Sequence, residues 1–275
     1  MGIRLGVIGG GNMGRAIVRG AIEGDVLAPD NVLVVDVDPA KRLEVASLGC
    51  HVAEWPGAAV EWASEGELGQ VMLAVKPQAF PEVAQALAPV MPSRMIVISI
   101  MAGRSSAAIR IALGGEAKVI RVMPNTPCMV GAGMSAIAIG AGANPEDTEF
   151  AKRLFGTIGR TIDVAESLMH AVTAVSGSGP AYVFLLAEAM ERAAQDMGLP
   201  SDAARLLVSQ TLLGASRLLD DAEATGGTAE ELRHAVTSPG GTTAAALDVM
   251  MRHGLPETII EAMIAARDRG HELDG

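Results

Sequence analysis

The sequence predicts an α/β fold with a doubly wound parallel sheet in its first half and an all-α region in its second half. In the first half, short apolar runs alternate with stretches of helical periodicity, which is the order of parallel strands joined by right-handed helical crossovers. After Asp163 the strand-like runs stop and helical periodicity continues alone. We therefore expect two domains, residues 1–163 and residues 164–275.

The first strand–helix connection carries a glycine pattern, Gly9-x-Gly11-x-x-Gly14, between an apolar run at Ile3–Ile8 and a helical stretch at Arg15–Ile22. Gly9 permits a tight turn, Gly11 lets a pyrophosphate approach the backbone, and Gly14 lets the helix pack closely on the strand. This context predicts a Rossmann-type domain that binds NAD(P). The residues of this loop that we expect to contact the cofactor are Gly9, Gly11, Asn12, Met13 and Gly14.

The second strand, expected at Val32–Val35, ends in Asp36, about twenty residues beyond the last glycine of the pattern. A carboxylate at this place can accept hydrogen bonds from the ribose hydroxyls of NAD. Asp38 adds a second negative charge that would repel a 2′-phosphate, and Lys41 and Arg42 partly offset it. We therefore favour NADH as the cofactor and leave NADPH open.

The remaining elements of the first half continue the alternation. Strands are expected at Gln70–Val75, Met95–Ile100, Val119–Met123 and Met134–Ile139, and helices at Asp38–Leu48, Phe80–Val90 and Ser105–Leu113. In a doubly wound sheet the ligand lies beyond the carboxyl ends of the strands. The loops Ala74–Gln78, Ser99–Gly103 and Met123–Pro127 should therefore gather around the nicotinamide.

The second half should be helical throughout. Helices are expected within Glu166–Val175 and at Ala181–Met197, Pro200–Leu219, Glu230–Val236, Ala244–Met251 and Pro256–Arg269. Thr228 and Glu231 have the spacing of a capping box. Tyr182–Leu186 is apolar at consecutive positions, so its helix must be buried on all sides. Six helices cannot easily do this alone, and we expect a homodimer; shielding by the first domain is the alternative.

The stretch Thr237–Thr243 precedes the helical run Ala244–Met251. Pro239 stiffens its entry, while Gly240 and Gly241 leave backbone N–H groups open at the positive end of the helix. The two threonines that follow add hydroxyl groups that can donate and accept. The local pattern leaves two interpretations open, a site for a carboxylate and an ordinary glycine-rich helix cap.

Composition and charge exclude several classes of function. The net charge of −11 comes without a basic stripe, which argues against nucleic acid and against anionic membranes as partners. Cys50 and Cys128 show no paired spacing, the five histidines lack metal-ligand spacing, and we expect no metal site. No signal peptide is apparent at the N-terminus, so we expect a cytoplasmic protein. The charge-free run Val122–Pro145 contains three prolines and is interpreted as loop and buried strand.

No lysine occurs after Lys152. Hydroxyacid dehydrogenases with two domains of this kind commonly use a lysine of the second domain as general base, and this chain offers none. A histidine paired with a carboxylate, the usual alternative for deprotonating an alcohol, has no obvious spacing either. The residues therefore favour a reduction that needs little proton transfer, such as that of a protonated imine.

Five motifs of the chain, in this order, resemble those of the Δ1-pyrroline-5-carboxylate reductase family. They are Gly9–Gly14, Ala74-Val-Lys-Pro-Gln78, Arg121-Val-Met-Pro-Asn-Thr-Pro127, Ser176-Gly-Ser-Gly-Pro-Ala-Tyr182 and Thr237-Ser-Pro-Gly-Gly-Thr-Thr243. The last two are the specific part of the resemblance, which covers nearly the whole chain. It implies a Rossmann domain followed by a helical substrate-binding and dimerisation domain, in a homodimer or a ring of dimers such as a decamer.

The resemblance also implies roles for individual residues. The substrate carboxylate would rest on the backbone amides of Ser238, Gly240, Gly241 and Thr242. The Thr243 hydroxyl would meet the ring nitrogen of the substrate and act as the catalytic side chain. Further cofactor contacts would be Val75, Lys76, Pro77, Ala102 and Asn125. The segment Asp220–Glu231 is longer than is usual in the family, so no acidic residue is carried over from it.

The activity implied is hydride transfer from NAD(P)H to the imine carbon of 1-pyrroline-5-carboxylate, which gives L-proline in the last step of proline biosynthesis. Two alternatives stay open on the residues, reduction of another cyclic imino acid and a non-catalytic NAD(P)H-binding regulator. A prephenate-type or hydroxyacid dehydrogenase is disfavoured by the missing lysine.

Overall fold

A computed structural model describes residues 3–274, and its centre is one eight-stranded sheet. The strands are β1 (Leu5–Ile8), β2 (Val32–Val35), β3 (His51–Ala53), β4 (Gln70–Leu73), β5 (Ile96–Ser99), β6 (Lys118–Pro124), β7 (Gly133–Ile139) and β8 (Gly159–Asp163). Their order in the sheet is β3-β2-β1-β4-β5-β6-β7-β8. Neighbouring strands are parallel except β6 and β7, which pair antiparallel. The order reverses direction between β1 and β4, which is the switch point where such sheets bind ligands.

Helices cover both faces of the sheet and explain why its inner strands are apolar on both sides. They are α1 (Asn12–Glu23), α2 (Pro39–Ala46), α3 (Gly57–Ser64), α4 (Phe80–Leu87), α5 (Ser106–Ala112), α6 (Glu149–Gly156) and the short α7 (Met169–Val172). One core joins α1 and α6 to side chains such as Val7 and Val34. The opposite core joins α3, α4 and α5 to their strand neighbours Ile8 and Val35. The alternation of consecutive strand residues between two cores fixes the register of the sheet.

The predicted elements of the first half are present, with some differences. Four further elements were not predicted, namely β3, α3, α6 and β8. The strand predicted at Met134–Ile139 exists, but it runs antiparallel to β6 instead of extending the parallel sheet. Only residues 125–132 join β6 to β7, and a parallel crossover needs a dozen or more residues.

Five helices make up most of the second half. They are α8 (Gly179–Asp196), α9 (Ser201–Ala224), α10 (Ala229–Ala235), α11 (Thr242–Arg252) and α12 (Leu255–Asp274). The chain forms two compact units, which we call the sheet unit (residues up to Ser178 and from Ile264 onward) and the helical unit (Gly179–Met263). The domain boundary predicted after residue 163 stays a prediction.

The helical unit exposes much apolar surface in the single chain. On α8 the consecutive side chains Val183, Phe184, Leu185 and Leu186 are 46, 61, 66 and 45% exposed. Contiguous apolar surface of this kind marks an interaction site. None of the helices described is long and apolar enough to cross a membrane.

Candidate functional site

The glycine loop between β1 and α1 has the geometry of a dinucleotide cradle. Gly9 has φ +110°, and a Cβ there would lie 2.4 Å from the Ala74 carbonyl oxygen. A Cβ on Gly14 would lie 2.2 Å from the Gly9 carbonyl oxygen, so the helix can approach the strand only without a side chain. Gly11 differs, because a Cβ there would meet no atom within 4 Å. The open space at Gly11 is where a pyrophosphate can approach the backbone, and the loop fits a dinucleotide.

The start of α1 is left free for an anion. Its N-cap is Gly11, no side chain caps it, and its first turn contains no acidic residue. The first helical bond runs from the Arg15 N–H to the Gly11 carbonyl over 2.9 Å, so the preceding amides of Asn12, Met13 and Gly14 have no acceptor within the helix. These N–H groups and the positive end of the helix dipole together attract phosphate.

Asp36 lies at the carboxyl end of β2, as predicted, and its carboxylate is held in place by backbone amides. The Gly10 N–H donates to Oδ2 over 2.8 Å, and the Asp38 N–H donates to Oδ1 over 2.9 Å. The side chain is only 10% exposed. The carboxylate therefore lies directly beside the glycine loop, where the ribose of a bound dinucleotide would be.

The other predicted cofactor residues follow neighbouring strands. Val75, Lys76 and Pro77 follow β4, Ala102 follows β5, and Asn125 follows β6. Because these strands are parallel and adjacent, the sheet brings the three loops to the same edge as the glycine loop and Asp36. Lys76 is exposed at the start of a short 3₁₀ turn, Pro77–Ala79, and within residues 3–274 no acidic side chain lies within ion-pair distance of it. Its ammonium group is therefore available to an anion.

Asn125 has a structural role that the sequence did not reveal. Its Oδ1 accepts a bond from the Met134 N–H over 2.9 Å, and its Nδ2 donates to the carbonyl and the hydroxyl oxygens of Ser176 over 3.3 Å each. Ser176 lies in a π-helical turn, Thr173–Gly177, that precedes α8. Asn125 thus joins the end of β6 to two other segments, and its contact with the cofactor stays a prediction.

A partly buried polar cluster lies at Glu166, upstream of this π-helical turn. The Glu166 carboxylate accepts bonds from the N–H and hydroxyl groups of Ser106 over 2.7 and 2.5 Å, and the Arg121 guanidinium lies 3.6 Å from it. Arg121 is only 5% exposed, and a buried charge needs a partner. Sequence reasoning missed this cluster: a charged residue inside an apolar strand indicates a buried partner, but it does not say which acid.

The loop Thr237–Thr243 of the helical unit repeats the design of the first loop. Gly240 has φ +70° with no atom near its missing Cβ, and Gly241 is the N-cap of α11, without a capping side chain or an acid in the first turn. The first bond of α11 runs from Ala245 N–H to the Gly241 carbonyl over 3.1 Å, so the amides of Thr242 and Thr243 precede it.

Within this loop, two bonds define its shape. The Thr237 hydroxyl donates to the Arg233 carbonyl over 2.6 Å, and the Gly241 N–H donates to the Ser238 carbonyl over 3.0 Å. Of the four amides predicted to hold a carboxylate, that of Gly241 is therefore already engaged. The contribution of Gly241 in this structure is the absent side chain, which leaves the start of α11 uncovered.

The two cysteines are not candidates for catalysis. Burial, together with the charge of Asp30, raises the pKa of the Cys50 thiol to about 11, and burial also raises the pKa of Cys128. A thiol protonated at neutral pH is a poor nucleophile. Within the described part of the chain, no group of three His, Cys, Asp or Glu side chains could hold a metal ion.

Comparison with known proteins covers the whole chain. Residues 166–273 match the family model described as pyrroline-5-carboxylate reductase dimerisation, and residues 4–103 match the one described as NADP oxidoreductase, coenzyme F420-dependent. Similar sequences named pyrroline-5-carboxylate reductase occur in Synechocystis sp. (41% identical, covering 99% of each chain) and Haemophilus influenzae (39% identical, covering 98% of this chain and 97% of the other).

Solved structures agree with these sequence relatives. A pyrroline-5-carboxylate reductase from Coxiella burnetii superposes with a TM-score of 0.89 at 33% identity over 100% of both chains. The Plasmodium falciparum pyrroline carboxylate reductase, solved with NADP bound, superposes with a TM-score of 0.86 at 27% identity, covering 99% of this chain and 98% of the other. With relatives this similar over its full length, and with the glycine loop and the Thr237–Thr243 loop both in place, the chain belongs to the pyrroline-5-carboxylate reductase family.

Proposed function

We propose that the protein reduces 1-pyrroline-5-carboxylate to L-proline with NADH or NADPH, the last step of proline biosynthesis. The observation that carries this proposal is the second glycine loop. A dinucleotide-binding sheet alone would fit many dehydrogenases, but the helical unit adds an uncapped helix start with free amides and two threonine hydroxyls. Such a site suits a small substrate that carries a carboxylate.

The loop would hold the substrate by its carboxylate. The backbone amides of Ser238, Gly240 and Thr242 are the proposed donors, and that of Gly241 would join them if its bond to Ser238 is exchanged. The carboxylate contributes its full negative charge at the positive end of α11, so binding needs no arginine.

Thr243 would act at the ring nitrogen of the substrate. Its hydroxyl, next to the seat of the carboxylate, would hydrogen-bond that nitrogen and orient the imine. Bound NAD(P)H supplies the hydride that the imine carbon accepts. Because a protonated imine is already electrophilic and hydride transfer neutralises it, the chain needs no strong base and contributes mainly by positioning.

The residues of the sheet unit support NADH as the preferred cofactor. Asp36 is fixed where it can accept a bond from a ribose hydroxyl, and Asp38 adds a second carboxylate nearby. A 2′-phosphate would meet both negative charges. Replacement of Asp36 by Ser should raise the use of NADPH relative to NADH, and an unchanged ratio would show that Asp36 does not contact the ribose.

The dimerisation-region match and the exposed apolar side chains of α8 support assembly as a homodimer. A larger ring of dimers, up to a decamer, and a cytoplasmic location are further parts of the proposal. Sedimentation of the purified protein would give the size of the assembly.

The function is tested by following NADH and NADPH oxidation at 340 nm with 1-pyrroline-5-carboxylate. We expect steady turnover with formation of proline. A six-membered cyclic imino acid, assayed in parallel, should be reduced less efficiently. Higher efficiency on the six-membered ring would move the substrate to that class. Cofactor binding without turnover on either ring would show a non-catalytic NAD(P)H-binding protein.

A further inference from the structure

The ribose end of the cofactor cradle contains two cations that differ in their freedom to move. Arg42 is anchored: its Nη1 donates to the Asp36 carbonyl over 2.7 Å and to the Val37 carbonyl over 3.1 Å. Its Nη2 lies 3.5 Å from Oε2 of Glu54, on the loop that follows β3. Both ends of the guanidinium are therefore engaged, and its side chain is only 21% exposed.

Lys41 is held more loosely. Its Nζ lies 3.6 Å from Asp36 Oδ1 and 3.9 Å from Asp38 Oδ2, and its side chain is 42% exposed. These are ion-pair distances without hydrogen bonds, so the ammonium group can turn toward another anion. Arg15, on α1, forms an ion pair with Glu44 and is not free in the same way.

Glu54 is close enough to Arg42 to limit which anions its guanidinium group can bind. The loop that carries it follows β3, whose Ala53 carbonyl accepts the Asp36 N–H over 3.2 Å, so Glu54 follows a strand that pairs beside the ribose carboxylate. Its side chain is 72% exposed and reaches back to the outer nitrogen of Arg42. Guanidinium groups bind phosphate in a bidentate fork, which requires two nitrogens free on one side. Nη1 is held by the two carbonyls, so the side that Glu54 occupies is the one formed by Nη2 and Nε.

We propose that Glu54 determines cofactor specificity, because it occupies the Nη2 side of Arg42 and leaves Lys41 as the cation that meets a 2′-phosphate. This inference rests on the proposed function for its biological meaning, but it concerns only the binding of the cofactor. Asp36 disfavours the phosphate directly, whereas Glu54 acts through Arg42 and is a positioning residue. The two effects together make NADH the preferred cofactor while NADPH still binds.

The test measures the dissociation constants of NADH and NADPH by calorimetric titration of the full-length protein without substrate. We expect E54Q to tighten NADPH by about two- to five-fold, the range of an exposed ion pair, and to leave NADH unchanged. K41A should weaken NADPH by a similar factor and leave NADH unchanged. E65Q is the matched control, because Glu65 is also an exposed acid paired with an arginine, Arg4, but lies at the amino end of the strands.

The double variant R42A/E54Q separates the proposed route from a simple loss of negative charge. If Arg42 is the group released, the gain in NADPH relative to NADH disappears in the double variant. If the gain persists without Arg42, or if E65Q gives the same gain, the inference is overturned. Since no substrate is present, these results stand even if 1-pyrroline-5-carboxylate is not reduced, and reduction with an unchanged NADPH-to-NADH ratio in E54Q would overturn this inference alone.

Discussion

The two glycine loops of this protein, Gly9–Gly14 and Thr237–Thr243, both leave the start of a helix uncapped, but they differ in how closely other atoms surround them. Each precedes a helix whose N-cap is glycine, with no capping side chain and no acid in the first turn. The first loop is enclosed: two of its glycines have backbone atoms closer than 2.5 Å to the position of a Cβ. The second is open, with no atom within 4 Å of the missing Cβ of Gly240.

This difference separates glycines that packing requires from glycines beside which a ligand has room. In the enclosed loop, Gly9 and Gly14 are needed by the fold, and only Gly11 has free space above it. In the open loop, the φ of +70° at Gly240 favours glycine, and the fold leaves the space beside it unfilled, so this surface is open to a ligand. Substitution of Gly14 should therefore change both stability and binding, whereas substitution of Gly11 should change binding alone.

The largest effect is expected from G241D. An aspartate at the N-cap would bond the free amides at the start of α11, which stabilises a helix by about 0.3 kcal/mol relative to a glycine cap. It would also put a negative charge against the substrate carboxylate, and like charges brought together cost several kcal/mol. We expect kcat/KM for 1-pyrroline-5-carboxylate to fall by on the order of 100-fold or more while the melting temperature holds or rises.

G241N is the matched control for G241D, because asparagine caps a helix almost equally well without the charge. It should lose less activity than G241D. A Cβ at this position would lie 3.1 Å from the Ser238 carbonyl oxygen, so both variants share the same steric change. Equal losses of activity in the two variants would show that the added charge has no effect, and the proposal of a carboxylate site would be wrong.

The enclosed loop is tested by comparing G14A with G11A. The added methyl group of G14A meets the Gly9 carbonyl, and overpacking of this kind costs about 1–3 kcal/mol in the free energy of unfolding. G11A has room in the protein at φ −68°, so its stability should be unchanged or slightly higher. Both variants should weaken NADH by about tenfold or more, as measured by titration.

The informative result is the separation of the two properties in G11A. Normal thermal stability with weakened cofactor binding would show that the space above Gly11 belongs to the pyrophosphate. If G11A binds NADH as tightly as the parent protein, the cofactor does not approach the backbone at this residue.

Removal of the Thr243 hydroxyl should have a smaller effect than a misplaced charge. A buried hydrogen bond to the substrate nitrogen contributes about 1–3 kcal/mol, so T243A should lower kcat/KM by roughly 5- to 150-fold. T243S keeps the hydroxyl and should retain most of the activity. The dissociation constant of NADH should not change in either variant. An unchanged kcat/KM in T243A would remove Thr243 from the mechanism.

Much of the fold could be predicted because strong local signals coincide with tertiary roles. The run Val32–Val35 is a strand with the predicted bounds, because a strand buried on both faces is a continuous apolar run. Asp38 caps α2 through a bond to the Ala40 N–H, and Thr228 and Glu231 form the expected capping box. Each of these depends on residues three or four positions apart or less.

The missed features depend on contacts that sequence spacing does not encode. The strand β3 has only three residues, lies at the edge of the sheet and exposes His51 and Val52, so it lacks the buried apolar run of the inner strands. The direction of β7 is set by the short connection at residues 125–132. In the candidate site, the positions of the glycine loop and of Asp36 could be predicted from local sequence patterns. The link from Asn125 to Ser176 could not, because the two residues are far apart in the sequence. The ion pair of Arg42 with Glu54 involves an exposed side chain that no sequence pattern marks.

The smallest effect is expected at a helix that has a side-chain cap. The helix α10, next to the open loop, begins at a capping box in which Thr228 accepts the Glu231 N–H and the Glu231 carboxylate accepts the Thr228 N–H. T228A should lower the free energy of unfolding by about 0.5–2 kcal/mol, measured at fixed protein concentration because the stability of the proposed dimer would depend on it. Since the amides at the start of α10 are bonded by this cap and not by a ligand, kcat/KM should be unchanged. G241D should show the opposite pattern, with activity lost and stability kept. A loss of activity in T228A with little loss of stability would contradict this comparison. It would mean that a side-chain cap does not mark a helix start as structural and that an uncapped start does not mark a binding site.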